Sequence, residues 1–128
     1  MSFVTVPSFP TMPDGLLSTC DQAEVLRDLC NSGPMSVRQG AAVLKIPKQR
    51  ALHLKAIWGA SGQLQTFIHR HRIAPTPAGL LARIEEFEQS VAQRMAGAYL
   101  RREVTTGGLR ELLDHLVQRN EGHEGGQL

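Results

Sequence analysis

The chain has 128 residues, 41% hydrophobic but only 5% aromatic, so a single domain's core must be filled by Leu, Ile, Val, Ala and Met. No apolar run approaches the ~18–20 residues that span a bilayer, and MSFVTVPSFPTMPDG lacks the basic start and continuous apolar stretch of a signal peptide. No membrane association and a cytoplasmic location are therefore expected. The net charge of +2 is small but lopsided: between Leu29 and Ile84 there is no Asp or Glu, and that window holds eight of the fourteen Lys and Arg residues.

In chain order, residues 1–17 carry Pro7, Pro10 and Pro13 among Phe3, Val4, Val6, Phe9 and Met12. Prolines that dense exclude a helix interior and predict an extended arm. STCDQAEVLRDLC predicts the first helix, with Thr19 and Gln22 in capping-box spacing and Val25, Leu26, Leu29 and Cys30 forming one stripe. Gly33-Pro34 ends it. Cys20 and Cys30 match no zinc or redox spacing and read as small apolar side chains.

A second helix is predicted from Ser36, which repeats the capping-box pattern with Gln39 and turns Val37, Ala41 and Leu44 inward. Ile46-Pro47 interrupts, and Pro47 suits the first position of a third helix running to Trp58 or Ala60. At about 100° per residue, Ala51, Leu54, Ile57 and Trp58 share one face, and Gln49, Leu52, His53 and Ala56 face away, with Lys48, Arg50 and Lys55 on the flanks. GASG closes it.

QLQTFIHRHRIAP has strand-like composition at Leu64, Thr66, Phe67, Ile68 and Ile73, and predicts a short two-stranded hairpin with His69, Arg70 and His71 near its turn. TPAGLLARIEEFEQSVAQRMAGAYL predicts one long helix, capped by Thr76 and opened by Pro77. Its seam of Leu80, Ile84, Phe87, Val91, Met95 and Ala98 has the spacing of a helix–helix interface. After a break at Gly107-Gly108, Leu109, Leu112, Leu113, Leu116 and Val117 predict a final amphipathic helix, followed by a polar, disordered tail over 120–128.

Helix, helix, short break, helix, then a basic hairpin is the plan of a winged helix-turn-helix, whose third helix enters the DNA major groove while the hairpin reaches the backbone. The acid-free window supplies the charge such a partner demands. LRDLCNSGPMSVRQGAAVLKIPKQRALHLKAIWGASGQL resembles the N-terminal winged helix of IclR-type regulators, through GPMS (Gly33–Ser36), AAVLKIPK (Ala41–Lys48) and ASGQL (Ala60–Leu64). RIAPTPAGLLARI (Arg72–Ile84) resembles the strand-to-helix join of MarR-type proteins. Lys45 stands where the first family has its turn glycine, and Gln49-Arg50 where it opens its recognition helix with Ser-Thr. No effector domain of the IclR kind follows, so a small-molecule effector is not implied and remains unassigned.

The expected fold is mainly α: a winged helix-turn-helix with a short β-hairpin wing (18–76), flanked by the arm (1–17), C-terminal dimerisation helices (77–119) and the tail. Gln49 has the donor–acceptor pair for adenine, Arg50 the fork for guanine, and Leu52 a methyl contact for thymine. His53 is a candidate donor to base or phosphate, and Lys48 and Lys55 are phosphate contacts. Ser36 and Arg38 suit the backbone at a helix N-terminus. His69, Arg70 and Arg72 belong to the wing. The dimer interface is expected from Leu80, Ile84, Phe87, Val91, Met95, Leu109, Leu112, Leu113 and Leu116. The arginines beside His69 and His71 repel a cation, so no metal or other cofactor is expected. No catalytic motif is present. A homodimeric, sequence-specific regulator of double-stranded DNA, acting as a repressor, is the leading expectation. The alternative is an adaptor, or a replication or partition accessory protein, that binds protein through the same fold.

Overall fold

Capping chemistry fixes the first three helices nearly where the sequence places them. The protein is described by a computed structural model over residues 17–33 and 35–127. The arm expected at 1–17 lies almost wholly outside the described residues. In α1 (Thr19–Ser32) the cap is Ser18 rather than Thr19, its hydroxyl accepting from the Asp21 N–H at 3.1 Å. Thr19 turns inward and donates to the Ile73 carbonyl. Gln22, the other half of the expected box, is buried and donates to the Leu17 carbonyl at 3.1 Å.

α2 (Val37–Leu44) opens with the full capping box: the Gln39 N–H donates to the Ser36 hydroxyl at 3.1 Å, and the Ser36 N–H to the Gln39 side chain at 2.9 Å. It ends at Lys45, which is left-handed (φ 59°, ψ 44°). The Lys45 and Ile46 N–H groups return to the Ala42 and Ala41 carbonyls at 3.2 and 3.0 Å, the paired closure that satisfies a helix C-terminus. Lys45 thus takes up the conformation that a glycine would adopt more cheaply. Three residues then lead into α3 (Lys48–Trp58), with Pro47 as its extended cap. Trp58 Nε1 donates to the Ala23 carbonyl at 2.9 Å and pins the last turn of α3 to α1.

The expected hairpin wing is absent. Its residues form a fourth helix, α4 (Gly62–Arg70), and there is no strand among the described residues. Ser61 caps α4 by accepting from the Leu64 N–H at 3.1 Å. The Ser61 N–H and hydroxyl donate in turn to the Glu85 carboxylate at 2.8 and 2.7 Å. Leu64 and Ile68, one helical turn apart, are both buried. A lone two-stranded hairpin is marginal in water, whereas this helix satisfies its own backbone and is tied down at its start. The winged description is therefore corrected to an all-helical one.

The single long helix expected after Thr76 is two. α5 (Pro75–Phe87) stops at Glu88, which is extended (φ −158°, ψ 110°), and α6 (Gln89–Leu100) turns back to pack on α5. α7 (Thr106–Gln127) starts before the expected Gly107-Gly108 break: the Gly108 N–H donates to the Thr105 hydroxyl at 3.0 Å, so both glycines lie in its first turn. The helix continues through most of the tail expected to be disordered.

α5 is the centre of the molecule. Pro77 to Ala82 and Ile84 are all buried, against α3 on one side and α6 and α7 on others. This redefines the expected dimer seam. Leu80, Ile84, Leu109, Leu113 and Leu116 are buried within the protomer, forming core contacts of α5 and α7 rather than a surface for a second copy. Phe87 remains exposed, and Val91, Met95 and Leu112 are half-buried. No helix among the described residues is long and apolar enough to cross a membrane.

Candidate nucleic-acid interface

α3 is held on two sides, which leaves it a narrow outer strip. Ala51, Leu54 and Ile57 face the core shared with α1 and α2. On a second side α5 closes in at Gly79, where a Cβ would lie 2.4 Å from His53 Cβ and 2.6 Å from His53 Cα. Only a glycine permits that approach. His53, expected on the outer face, is consequently only 5% exposed, and its Nδ1 has no hydrogen-bond partner among the described residues. Burial, together with the charges of Arg110 and Arg83, lowers its pKa below the usual histidine value. His53 therefore does not stand on the exposed face of α3 as expected: its ring is buried against α5 and borders the groove between the two helices.

What remains outside on α3 is Lys48, Gln49, Leu52 and Lys55, with Arg50 half-buried. Lys48, Leu52 and Lys55 recur at helical spacing and form one strip, and Gln49 lies on its edge. Leu52 is 43% exposed, apolar between two cations. Beside the strip runs a groove of about 390 Å³, lined on the α3 side by Gln49, Leu52, His53, Lys55, Ala56 and Gly59 and on the α5 side by Arg83 and Glu86. Neither motif nor spacing singles out Arg83 and Glu86. The available signal is weak: Arg83 is the last cation of the acid-free window and stands one turn after Gly79.

The other expected contacts are placed differently. Ser36 is exposed, but its hydroxyl and N–H are both engaged in the α2 capping box. Arg38, in the first turn of α2, is exposed. His69, Arg70 and Arg72 do not form a wing tip. They occupy the end of α4 and the turn after it, where Arg72 is left-handed (φ 52°). That turn abuts the start of α1: the His69 ring lies 3.2 Å from the Ser18 hydroxyl, and Thr19 donates to Ile73. His71 stacks at a tilt on Phe67, ring centres 4.6 Å apart. Among the described residues no three His, Cys, Asp or Glu side chains gather as metal ligands.

The two cysteines are free and half-buried. Cys20 donates to the Gln65 carbonyl at 3.4 Å, and burial, with the Asp21 charge beside it, pushes its thiol pKa up, which disfavours the thiolate.

No protein family, curated protein or solved structure matches the chain.

Proposed function

We propose that the protein is a sequence-specific, double-stranded DNA-binding regulator of the helix-turn-helix kind, with α3 as the helix that enters the major groove. The observation that carries this reading is the α2–turn–α3 unit itself. A three-residue turn with a left-handed first residue joins two short helices, and the second presents Lys48, Gln49, Leu52 and Lys55 outward from a segment without a carboxylate. Gln49 reads adenine through paired hydrogen bonds, Leu52 touches a thymine methyl, and Lys48 and Lys55 hold the phosphates that flank them. Arg38 adds a backbone contact from α2. A repressor acting as a homodimer in the cytoplasm accompanies this reading, with exposed Phe87 as the apolar centre left for a second copy.

The exposed Val43 on α2 and Leu52 on α3 favour a second reading, in which the helix-turn-helix unit docks an apolar patch of a protein partner. Salt separates the two. About six phosphate contacts make DNA affinity fall roughly a thousandfold between about 50 and 200 mM salt, whereas an apolar interface is nearly indifferent. Selection of bound sequences from random duplex DNA tests specificity and symmetry together. A palindromic consensus, lost in Gln49→Ala, is the expected result. The absence of any enriched sequence, with salt-independent retention of protein partners, overturns the proposal.

A further inference from the structure

Gly79, Arg83 and Glu86 recur at helical spacing, so α5 turns all three toward one side. Gly79 lets that side lie directly on α3 at His53. One turn further along, Arg83 and Glu86 form the α5 wall of the groove, across from Gln49, Leu52 and Lys55. Arg83 is exposed and forms no ion pair among the described residues, with Glu86 or any other carboxylate. Beside the buried His53 ring, the ionic groups lining the groove are therefore two cations, Lys55 and Arg83, and one anion, Glu86. The helix-turn-helix unit accounts for Lys55. It gives no role to Arg83, which the fold brings to α3 from a helix outside that unit.

An α-helix with its side chains is about 10–12 Å across, and the DNA major groove is about 12 Å wide. A helix lying there fills the space, so whatever packs on its flank meets the rim, where the phosphates run. α5 packs on the flank of α3 through Gly79. We infer that Arg83 is a DNA-backbone contact, taking a phosphate at the rim of the major groove while Lys55 holds the backbone from the α3 side. The inference rests on the DNA-binding reading and extends the interface to a helix that the helix-turn-helix unit does not include. Arginine suits the task because its planar fork meets a phosphate with two parallel hydrogen bonds and remains charged at any working pH. Such a contact fixes affinity and register without reading sequence. Glu86, on the same wall, repels the strand and limits how deeply the backbone seats between α3 and α5.

The experiment compares the full chain with Arg83→Gln on the same short duplex DNA across a salt series. Removing one cation from a phosphate reduces the slope of log affinity against log salt by about 0.9, which is the expected change. Arg83→Lys keeps the slope because it keeps the charge, and binds more weakly because it loses the paired hydrogen bonds. Arg94→Gln, which removes one exposed cation from α6, leaves the slope unchanged. Selection from random duplexes returns the same consensus for Arg83→Gln as for the wild type, because a phosphate contact carries no sequence information. Glu86→Gln tightens binding severalfold. Far-UV circular dichroism of each variant checks that the helices persist. If the wild type binds with a steep slope and Arg83→Gln keeps it, or Arg94→Gln lowers it equally, the Arg83 contact is refuted while the role of α3 stands. A changed consensus in Arg83→Gln, or weaker binding in Glu86→Gln, likewise overturns a phosphate at this position. If the wild type shows no salt-dependent binding to duplex DNA, the contact and the DNA-binding reading are both refuted.

Discussion

Gly79→Ala is expected to destabilise the protein, although replacing glycine by alanine inside a helix ordinarily stabilises it by about 1 kcal/mol. The added methyl meets His53 Cβ at 2.4 Å and the backbone Cα at 2.6 Å, so no rotation of a flexible side-chain end relieves it. α5 must move off α3, and both helices are packed into the core at this point. Overpacking of this kind costs about 1–3 kcal/mol, and more where backbone must shift. The net loss is about 2 kcal/mol, lowering Tm by roughly 8 °C at about 4 °C per kcal/mol. Gly62→Ala is the control: it sits in the first turn of α4, and a Cβ there meets nothing within 4 Å. It should leave stability unchanged or raise it by a few tenths of a kcal/mol. Urea and thermal unfolding followed by circular dichroism read both. The clash includes His53 Cα, so Gly79→Ala/His53→Ala should recover little of the loss. If Gly79→Ala is as stable as the wild type, the close α3–α5 contact is wrong, and the burial of His53 falls with it.

Three further outcomes follow from the same geometry. His53 has a pKa lowered in the folded state, so the unfolded chain binds its proton more readily. Stability is undiminished above about pH 6.5 and falls as pH drops below it, by at most about 1.4 kcal/mol per pH unit until the folded-state pKa is passed. His53→Gln should flatten that part of the stability–pH curve, and an unaltered curve would show that the ring titrates freely. Lys45→Gly relieves a left-handed residue worth about 1–2 kcal/mol of strain against about 1 kcal/mol of chain entropy, so denaturant midpoints should stay level or rise slightly, whereas Lys45→Val should lower them clearly. Glu85→Ala removes the carboxylate that accepts from the Ser61 N–H and hydroxyl, and should cost about 1–2 kcal/mol, with Glu85→Gln intermediate. Amide exchange in α4 no faster in Glu85→Ala than in the wild type would count against that tether.

Where a signal is local, the sequence carries it. Ser36 with Gln39 predicts the start of α2 because both halves of that box lie within one turn. Pro47 and Gly59 similarly bracket α3. α4 reads as strand because Thr66, Phe67 and Ile68 lean that way, while the group that secures the helix start, Glu85, is twenty-four residues away. Leu64 and Ile68 at helical spacing after a Ser cap do offer a local cue, overshadowed by the basic run that suggests a wing. The division of α5 from α6 has no proline or glycine to announce it. Glu88 breaks the helix so that α6 can fold back on α5, and part of the seam that reads as a dimer interface, Leu80 and Ile84, becomes intrachain core while Phe87 stays exposed.

The site follows the same rule with a sharper consequence. A single helical wheel gives α3 one buried and one open face, and on that wheel His53 belongs outside. The wheel assumes one neighbouring layer, but α3 has two, α1 with α2 and then α5, and the second is admitted only by a glycine at position 79. That one residue withdraws His53 from the surface and at the same time sets Arg83 beside Lys55 across the groove. The outer face of α3 is therefore narrower than its own periodicity suggests, while the basic surface beside it extends onto α5 at Arg83. On the proposed DNA-binding reading, substitution of Gln49 or Leu52 is expected to change base preference, and loss of Lys48 or Lys55 to reduce the salt dependence of binding by about 0.9 in the log–log slope for each.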